Sequence, residues 1–512
     1  MKRFFYLLFL LLSFFCLNSL SAQAPGGKMY FADVSVFNNP GPNQGIVRFF
    51  RCGNASSVNI TNGITMETWV KLTIPTDNQK IMGKVDADGG ANFNDGYMLG
   101  INSSRINPEI WTPENQSFQE GFMPPVSSWH HIAVTYKVDD VFRGYLDGVM
   151  VHEQAAAGGQ IVNDNSDLIV GIAPWDPRFF MTFGSLDEVR IWDVARTPAE
   201  IRNNMFKNLN GDEPGLVLYL NMDNDDGTEI LEDLSSQLNH CLKEGMDETN
   251  ILPSTCPLGN TATQAQEDLY GIWFASDPFL QDPRTVETDN GLSLSSFFIG
   301  QDSAAFVVWG HGGEAGVSTD ALPPNAPANA QRTARSWRTT VYGDITPTLT
   351  FNLADAAGGG ATLPNDKPAS YYTLLQRNDD SEAFRAVAQA SAINGDDVTF
   401  DFYPVEEKAY ALAVADDPFD LVGLTSPDNN SLSAKVFPNP SNGSFTLAVQ
   451  LPAHQKVQVQ LFNYLGAEVY ATLFSSLDRV FHFGLDLPKG MYVLRAQAGE
   501  ATFNQRIIVQ SR

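Results

Sequence analysis

The sequence predicts an all-β protein built from several sandwich-like domains. Between residues 28 and 252, short apolar runs alternate in polarity with period two and are separated by clusters of turn residues. Asp147-Gly148 lies between two such runs and favours a two-residue hairpin. Helical periodicity is scarce, and the one clear helix start has Thr197 as N-cap and Pro198 at the first helical position. Many short strands at this spacing are typical of a β-sandwich or a jelly roll. The alternating runs lie at 64–70, 129–136, 142–146 and 186–192.

Length and composition agree with this fold class and exclude several others. A chain of 512 residues is long enough for about three domains. With 43% hydrophobic and 18% charged residues, it is not a wholly disordered chain, a collagen or a coiled coil. The 59 acidic and 32 basic residues give a formal net charge of −27. This charge argues against a nucleic-acid partner, because phosphates attract lysine and arginine and repel carboxylates.

The first 24 residues are predicted to be a secretory signal peptide. Lys2 and Arg3 precede an apolar run at 4–15, and small residues follow, with cleavage expected near 22–24. The apolar run is shorter than the roughly 20 residues of a spanning helix. We therefore expect export and no membrane-spanning segment.

Three cysteines follow the signal peptide, namely Cys52, Cys241 and Cys256. An exported chain meets oxidising conditions, so we expect one disulfide and one free thiol. A Cys241–Cys256 bond, one candidate pairing, would close a short loop. A Cys52–Cys241 bond would instead tie the two ends of the first domain, and the sequence does not choose between them. Without a Cys-x-x-Cys pair, a thiolate zinc site is not expected.

The first block, 28–252, resembles the laminin-G-like, concanavalin A-like jelly-roll family. Its segments occur in that family's order and resemble its strands and closing helix. The resemblance implies a jelly-roll sandwich, and this family includes glycan binders, protein binders and members without a known ligand. The fold alone therefore does not decide the function. The segments are ITMETWV at 64–70, WHHIAVTY at 129–136, YLDG at 145–148, GSLDEVRIW at 184–192 and RTPAEI at 196–201.

The second block, 259–414, is predicted to be an independent β-sandwich of unknown role. Arg332, Arg335 and Arg338 flank Trp337. This pattern resembles a strand of β-domains found beside laminin-G-like modules in exported bacterial proteins. The expected strands lie at 295–309, 339–353, 371–377 and 398–403.

A polar linker, 415–432, leads to a carboxy-terminal block at 433–512. This block resembles the type A sorting domain of the type IX secretion system, which implies contact with that machinery and a secreted or cell-surface location. We expect a turn before a strand at 444–450, and a glycine that relieves a close approach before a final hairpin. The motif segments are VFPNPSNG at 436–443, LFNYLG at 461–466 and LPKGMYV at 487–493. The motif residues are Pro438, Asn439, Pro440, Gly443, Gly490 and Tyr492.

Enzyme motifs are absent from the sequence. It holds no Gly-x-Ser-x-Gly elbow, no His-Glu-x-x-His and no phosphate-binding glycine loop, so we predict no catalytic residue. A glycosidase needs two carboxylates across a concave face. Glu67 alternates with Trp69 and would need a partner on that face, which nothing in the sequence places, and it is equally a family residue that bonds a neighbouring loop. An extracellular polysaccharide hydrolase, or its carbohydrate-binding accessory, is thus the alternative function. A purely structural surface-layer protein is a third class.

Aromatic residues in proline-bounded loops predict a sugar-binding surface. Trp111, Trp175 and Phe179 lie in such loops, where exposed rings could stack on pyranose faces. Trp69, Trp129 and Trp192 are instead expected in the core.

Calcium is the one cofactor that the sequence suggests. Ca²⁺ takes six to eight oxygen ligands, and the rims of sandwiches supply them from aspartates and loop carbonyls. Asp233 with Ser235 is the first candidate set, in a D-x-S loop often found beside laminin-G-like modules. Asp187 and Glu188 are the second, by analogy with the family. The leading hypothesis is a non-catalytic, secreted or cell-surface adhesion protein that binds glycans or surface polymers through the first domain.

Overall fold

The computed structural model describes most of the chain, and its regular structure is almost entirely β-strand. The described residues are 27–30, 48–73, 78–85, 95–122, 128–156, 158–163, 165–173, 181–223, 227–246, 250–273, 290–299, 305–343, 345–401, 403–421, 433–437, 444–450, 456–463, 468–474, 480–485, 487–498 and 501–509. The predicted signal peptide, 1–24, lies outside them. No helix among these residues is long and apolar enough to span a membrane.

The first block forms two antiparallel sheets that face each other. Within the described residues, sheet 1 has the strand order β11-β10-β9-β3-β13-β1-β17, with β14 on β13, and sheet 2 has the order β15-β16-β2-β12-β4-β5-β6-β7, with β8 on β6. The strands are β1 (Gly27–Tyr30), β2 (Phe49–Arg51), β3 (Gly63–Leu72), β4 (Gln79–Lys84), β5 (Tyr97–Asn102), β6 (Arg105–Ile110), β7 (Gln116–Ser117), β8 (Glu120–Phe122), β9 (His130–Lys137), β10 (Val141–Leu146), β11 (Val149–Ala155), β12 (Leu168–Val170), β13 (Gly184–Trp192), β14 (Leu216–Leu220), β15 (Ile230–Leu231), β16 (Cys241–Glu244) and β17 (Ile251–Pro253). A short 3₁₀ turn spans Ser56–Val58, and helix α1 spans Pro198–Asn204.

Alternation in β3 explains how the sheets pack. Ile64, Met66 and Val70 belong to the core between the sheets. Successive side chains of a strand point to opposite faces, so Glu67 and Trp69 lie on the other face of sheet 1. The all-β sandwich predicted from the sequence is confirmed.

Two local predictions are confirmed in detail. Asp147 and Gly148 have φ values of 53° and 76°, and they join β10 to β11 where Leu146 pairs with Val149. Both residues of a type I′ turn need positive φ, which this dipeptide tolerates. The helix predicted at Thr197 begins there with a capping box, in which Thr197 and Glu200 each accept a hydrogen bond from the other's backbone N–H.

Of the two pairings that the sequence left open, Cys241–Cys256 is wrong and Cys52–Cys241 is the one that forms. Strands β2 and β16 are neighbours in sheet 2, with Leu242 opposite Arg51, and this pairing places the two cysteines together. Cys256 is free and buried in a different cluster.

The second block is also a sandwich. Sheet 3 has the order β18-β20-β23-β29-β22-β21, with β25 on β29 and β26 on β25, and sheet 4 has the order β19-β24-β28-β27. The single strands expected over 295–309 and 339–353 are each two strands, because each run crosses from one sheet to the other. The strands are β18 (Glu267–Trp273), β19 (Leu292–Ile299), β20 (Phe306–His311), β21 (Val317–Ser318), β22 (Gln331–Thr333), β23 (Trp337–Tyr342), β24 (Ile345–Asn352), β25 (Tyr372–Arg377), β26 (Arg385–Gln389), β27 (Ala392–Asn394), β28 (Asp397–Phe400) and β29 (Ala409–Val414). The short helices are α2 (Thr261–Gln264), α3 (Leu353–Ala356) and a 3₁₀ turn at Ala369–Tyr371.

The carboxy-terminal block has its own core between sheets β30-β31-β34 and β33-β32-β35-β36, which includes Leu447, Leu461 and Leu494. Pro438, Asn439, Pro440 and Gly443 lie outside the described residues. Gly490 begins β35, and the Tyr492 hydroxyl donates to the Pro488 carbonyl over 2.7 Å. The expected close approach at Gly490 is wrong, since an added Cβ would meet its nearest neighbour at 3.8 Å. The strands are β30 (Ser433–Phe437), β31 (Ser444–Gln450), β32 (Val457–Asn463), β33 (Glu468–Phe474), β34 (Val480–Gly484), β35 (Gly490–Ala498) and β36 (Ala501–Val509).

The first two sandwiches share a hydrophobic cluster. Trp69, Trp129 and Phe206 of the first pack with Trp273 and Phe306 of the second. The Trp273 indole N–H donates to the Trp129 carbonyl over 2.7 Å, and the Trp69 indole N–H donates to the Met205 carbonyl over 2.7 Å. The second sandwich therefore covers part of the outer face of sheet 1.

Candidate functional site

A shallow, largely open cleft of about 610 Å³ lies at one end of the first sandwich. Two loops form its walls, one leading into β3 and one leading into β12. Its described lining is rich in amides and lacks ionisable groups. The lining residues are Asn59, Thr61, Ile161, Asn163 and Asn165.

Hydrogen bonds between the two loops set the shape of this cleft. The Ile161 backbone N–H donates to the Thr61 carbonyl over 2.9 Å. The Asn163 amide nitrogen, Nδ2, donates to the Ile60 carbonyl over 2.7 Å. Because residues 103 positions apart are joined in this way, the cleft depends on the folded sandwich and not on a local motif.

Two amide oxygens of the cleft residues accept no hydrogen bond from the part of the chain that the structure describes. Asn163 Oδ1 and Asn59 Oδ1 are both buried, and neither accepts a hydrogen bond from a described protein group. The Nδ2 bond to Ile60 fixes the direction of the Asn163 amide, so its oxygen faces away from that carbonyl. A buried acceptor without a donor costs about 1–3 kcal/mol, and because both oxygens are closed off from solvent, neither is an open position for a ligand.

Of the three aromatic residues predicted to form a sugar-binding surface, the structure describes only Trp111. Trp111 is 5% exposed and packs against Val85 and Met98, so its ring does not offer the exposed face that was expected. Its backbone carbonyl accepts a hydrogen bond from Val162 N–H over 2.9 Å, which places it behind the cleft loop. Trp175 and Phe179 lie outside the described residues.

Glu67, the carboxylate considered for the hydrolase alternative, is closed off in an ionic cluster. It is fully buried, and its Oε1 accepts hydrogen bonds from Trp192 Nε1 at 3.0 Å and Arg196 Nη1 at 3.1 Å. Arg190 Nη1 lies 3.6 Å from the same oxygen, and His131 Nε2 lies 3.9 Å from Oε2. The Glu67 carboxylate is thus bonded to neighbouring buried side chains and is not open to a substrate.

The charges of this cluster follow from burial and from the two arginines. Burial acts to raise the pKa of Glu67, but Arg196, Arg190 and His131 outweigh it and lower the pKa. Burial lowers the pKa of His131 to about 4. At neutral pH, Glu67 is therefore ionised between two arginines, and His131 is neutral.

Asp187 and Glu188 lie on a bulge of β13, where the register with β3 shifts and Glu188 has a φ of 53°. Asp187 Oδ2 accepts a hydrogen bond from the Ser254 hydroxyl over 2.6 Å, and its Oδ1 accepts one from the Glu188 N–H over 2.9 Å. Glu188 Oε2 accepts from Arg190 and from the Tyr219 hydroxyl. Burial raises the pKa of both carboxyl groups.

Asp233 and Ser235 organise a turn. Asp233 Oδ1 accepts from the backbone N–H groups of Tyr219 and Ser235 at 2.7 and 2.9 Å. Its Oδ2 accepts from the Ser235 hydroxyl and the Asn239 N–H, both at 2.7 Å. Since donors occupy both oxygens, this set does not fit a calcium cage.

Across the described residues, no group of three or more His, Cys, Asp or Glu side chains could hold a metal ion. The oxygens of Asp187 and Glu188 are likewise occupied by donors. Calcium binding stays a prediction, and neither of the two candidate sets has oxygens free to accept the ion.

Comparisons with known proteins agree with the fold. Residues 50–202 match the family model of the concanavalin A-like lectin/glucanases superfamily, and residues 435–510 match that of the secretion system C-terminal sorting domain. The predicted resemblances are thus confirmed, and the sorting domain indicates export to the cell surface or beyond it.

Individual relatives cover only parts of the chain. Over 120 residues it is 27% identical to the human adhesion G-protein coupled receptor D1, a match that covers 22% of this chain and 13% of that relative's length. A putative carbohydrate-binding protein from Bacteroides ovatus has a TM-score of 0.32 and 20% identity, covering 42% of this chain and 62% of its own. A pentraxin from Limulus polyphemus has a TM-score of 0.25 and 14% identity, covering 34% and 80%.

Proposed function

We propose that this protein is an exported, non-catalytic glycan-binding protein that engages its ligand at the cleft between Thr61 and Asn163. The observation that carries the proposal is the amide-rich described lining of the cleft, in which Asn59, Asn163 and Asn165 lie together with Thr61 and Ile161. Sugars offer many hydroxyl donors, and amide side chains placed around an apolar residue are suited to bind them.

The chemistry of the cleft also favours binding over bond cleavage. Its described lining holds no carboxyl group that could act as an acid or a nucleophile. Glu67 lies on the other face of sheet 1 under Arg196 and Trp192, where a polysaccharide could not reach it without opening the cluster. Neither the described cleft lining nor the Glu67 cluster therefore supports the hydrolase alternative.

Export would place the proposed binding activity outside the cell. The sorting domain supports delivery by the type IX secretion machinery to the outer surface or to the medium. A glycan-binding sandwich at that location would attach the cell, or the released protein, to a polysaccharide or a surface polymer. This adhesion role is part of the proposal.

A glycan array, followed by calorimetry, tests the proposal on the purified full-length secreted protein. Asn59→Ala should weaken binding of the best ligand at least tenfold, because it removes one of the three amide side chains of the described lining. Asn394→Ala is the matched control, since Asn394 is exposed at a hairpin of the second sandwich. Absence of binding to every glycan, or an equal effect of both variants, would overturn the proposal.

A further inference from the structure

We infer that the second sandwich carries a site for a carboxylate at Arg338 and Arg377, and that Asp380 fills this site until a ligand displaces it. The inference goes beyond the proposed function, because it concerns another domain and does not depend on the cleft. The sorting domain indicates export. We therefore assign the ligand to acidic polysaccharides, whose uronic acid residues each present a carboxylate.

The two arginines lie on the outer face of sheet 3, on either side of one alanine. Arg338 of β23 and Arg377 of β25 are each paired with Ala409 of β29, the strand between them. Paired residues of neighbouring strands share a face. By alternation, Ala409 shares the face of Ala411, which belongs to a cluster outside the core that holds Leu412. Because alanine carries only a methyl group, the two long side chains can meet above it.

One exposed carboxylate bridges the two guanidinium groups. Arg338 Nη2 and Arg377 Nη2 lie 2.8 and 2.5 Å from the same atom, Asp380 Oδ1. Each arginine side chain is 11% exposed, whereas that of Asp380 is 72% exposed. The position that Asp380 fills is therefore open to solvent. Since ion pairs of exposed carboxylates contribute little to stability, a carboxylate from outside can replace it.

Further cations surround this one bridging carboxylate. The guanidinium carbons of Arg332 and Arg377 lie 5.0 and 4.4 Å from the ring centroid of Phe384. Arg332 donates to three backbone carbonyls, and burial together with Arg377 lowers its pKa. Lys408 Nζ donates to Asn378 Oδ1 on the same turn as Asp380. Local positive charge of this kind raises the concentration of anions at a surface.

The turn that carries Asp380 is held by other contacts. Asn378 Nδ2 donates to Glu382 Oε2 over 2.7 Å, and the Ser381 N–H donates to Asp379 Oδ1 over 2.8 Å. The Asp380 side chain can thus leave the arginines while the turn keeps its shape. A carboxylate that is not tied to the turn can offer one oxygen to each guanidinium, which is the geometry that arginine favours.

Titration calorimetry on the full-length protein gives the test, with oligogalacturonate and its neutral methyl ester as probes. The wild type should bind the acid and not the ester, more weakly at high salt, since salt screens exposed charges. Asp380→Asn should bind the acid at least tenfold more tightly, because it removes the carboxylate that occupies the site. Asp379→Asn is the matched control, since it removes the same charge from an oxygen bonded to Ser381.

An arginine pair of variants tests the cations directly. Arg338→Gln should weaken binding of the acid at least tenfold. Arg385→Gln, which removes an exposed arginine of the same sheet, should have little effect. Thermal melting shows whether each variant is folded, and Asp380→Asn, at an exposed position, keeps the test valid if Arg338→Gln fails to fold.

The remaining outcomes overturn the inference in distinguishable ways. A wild type that does not bind the acid at low salt has no such site. If Asp380→Asn binds no more tightly than Asp379→Asn, Asp380 does not occupy the site. If a polyaspartate peptide binds as tightly as oligogalacturonate, the assignment to polysaccharides is wrong. Binding of neutral glycans that Asn59→Ala weakens and Arg338→Gln leaves unchanged would keep the proposed function intact in each case.

Discussion

Trp69 of the first sandwich and Trp273 of the second meet edge to face, with their ring centroids 5.1 Å apart. Both rings are buried, and Phe206 contacts each of them at a centroid distance of 6.0 Å. Three aromatic rings thus close the junction between two domains that the sequence suggested would fold independently. The first two sandwiches should therefore unfold together.

Trp273→Ala tests this coupling. Removal of a buried tryptophan costs about 3–5 kcal/mol, and here the loss falls on both domains. We expect one unfolding transition for both sandwiches in the wild type and an earlier melting of the first sandwich in the variant, measured by calorimetry. Trp309→Ala removes a ring from the second sandwich's own core and is the matched control. An unchanged first sandwich in Trp273→Ala would contradict the coupling.

The neutral state of His131 predicts a pH dependence. Its folded pKa is about 4, below the ordinary value of 6.5, so the unfolded chain takes up a proton first as the pH falls. Stability should therefore fall from about pH 6.5 to pH 4, by about 3 kcal/mol from this residue. Urea unfolding at several pH values should show that the free energy of unfolding depends less on pH in His131→Gln than in the wild type or in His152→Gln. An equal pH dependence in all three proteins would contradict the neutral state of His131.

The Cys52–Cys241 bond should stabilise the first sandwich strongly. It joins residues 189 positions apart, and for a loop of this length the loss of unfolded-chain entropy is worth up to about 5 kcal/mol. Cys52→Ser should lower the melting temperature, and dithiothreitol should lower that of the wild type to a similar value. Cys256→Ser, the control, should keep its sensitivity to the reductant. If full reduction leaves the melting temperature of the wild type unchanged, the bond does not stabilise the first sandwich.

Asp233→Ala should destabilise the first sandwich whether or not calcium is present. The carboxylate accepts four hydrogen bonds from the turn, so its loss leaves three backbone N–H groups and one hydroxyl unpaired, at a cost of about 2–4 kcal/mol. Melting with added Ca²⁺ and with a chelator should give the same shift. If Ca²⁺ raises the melting temperature of the wild type but not of the variant, Asp233 binds the ion after all.

The sorting domain should be removable without unfolding the first two sandwiches. Its core residues, which include Phe445, Val459 and Ile507, form a cluster of their own. A chain truncated after residue 432 should fold and remain in the periplasm of a host that has the type IX system, as cell fractionation would show. Appearance of the truncated chain on the surface would contradict the assignment.

Short-range features were predictable from the sequence, and features that depend on distant neighbours were not. Strand β3 follows from the alternation at 64–70, and the helix start at Thr197 follows from its cap. The correct disulfide depends on β2 lying beside β16, which no local pattern reveals. The sequence did not indicate Asn59 and Asn163 as cleft residues either, because asparagine is common in loops. The two loops that carry them come together in the fold, where the Ile161 N–H bonds to the Thr61 carbonyl. Trp69 was correctly placed in a core, but its core is shared with another domain.

The covalent link between Cys52 and Cys241 also bears on survival outside the cell. A protease that cuts the chain once between these cysteines would produce two fragments that remain tied to each other. The amino-terminal fragment would stay attached, through Cys241, to everything that follows it in the chain. A nicked protein would thus keep both halves of its first sandwich in place, and only a second event, reduction of the bond, would let them part.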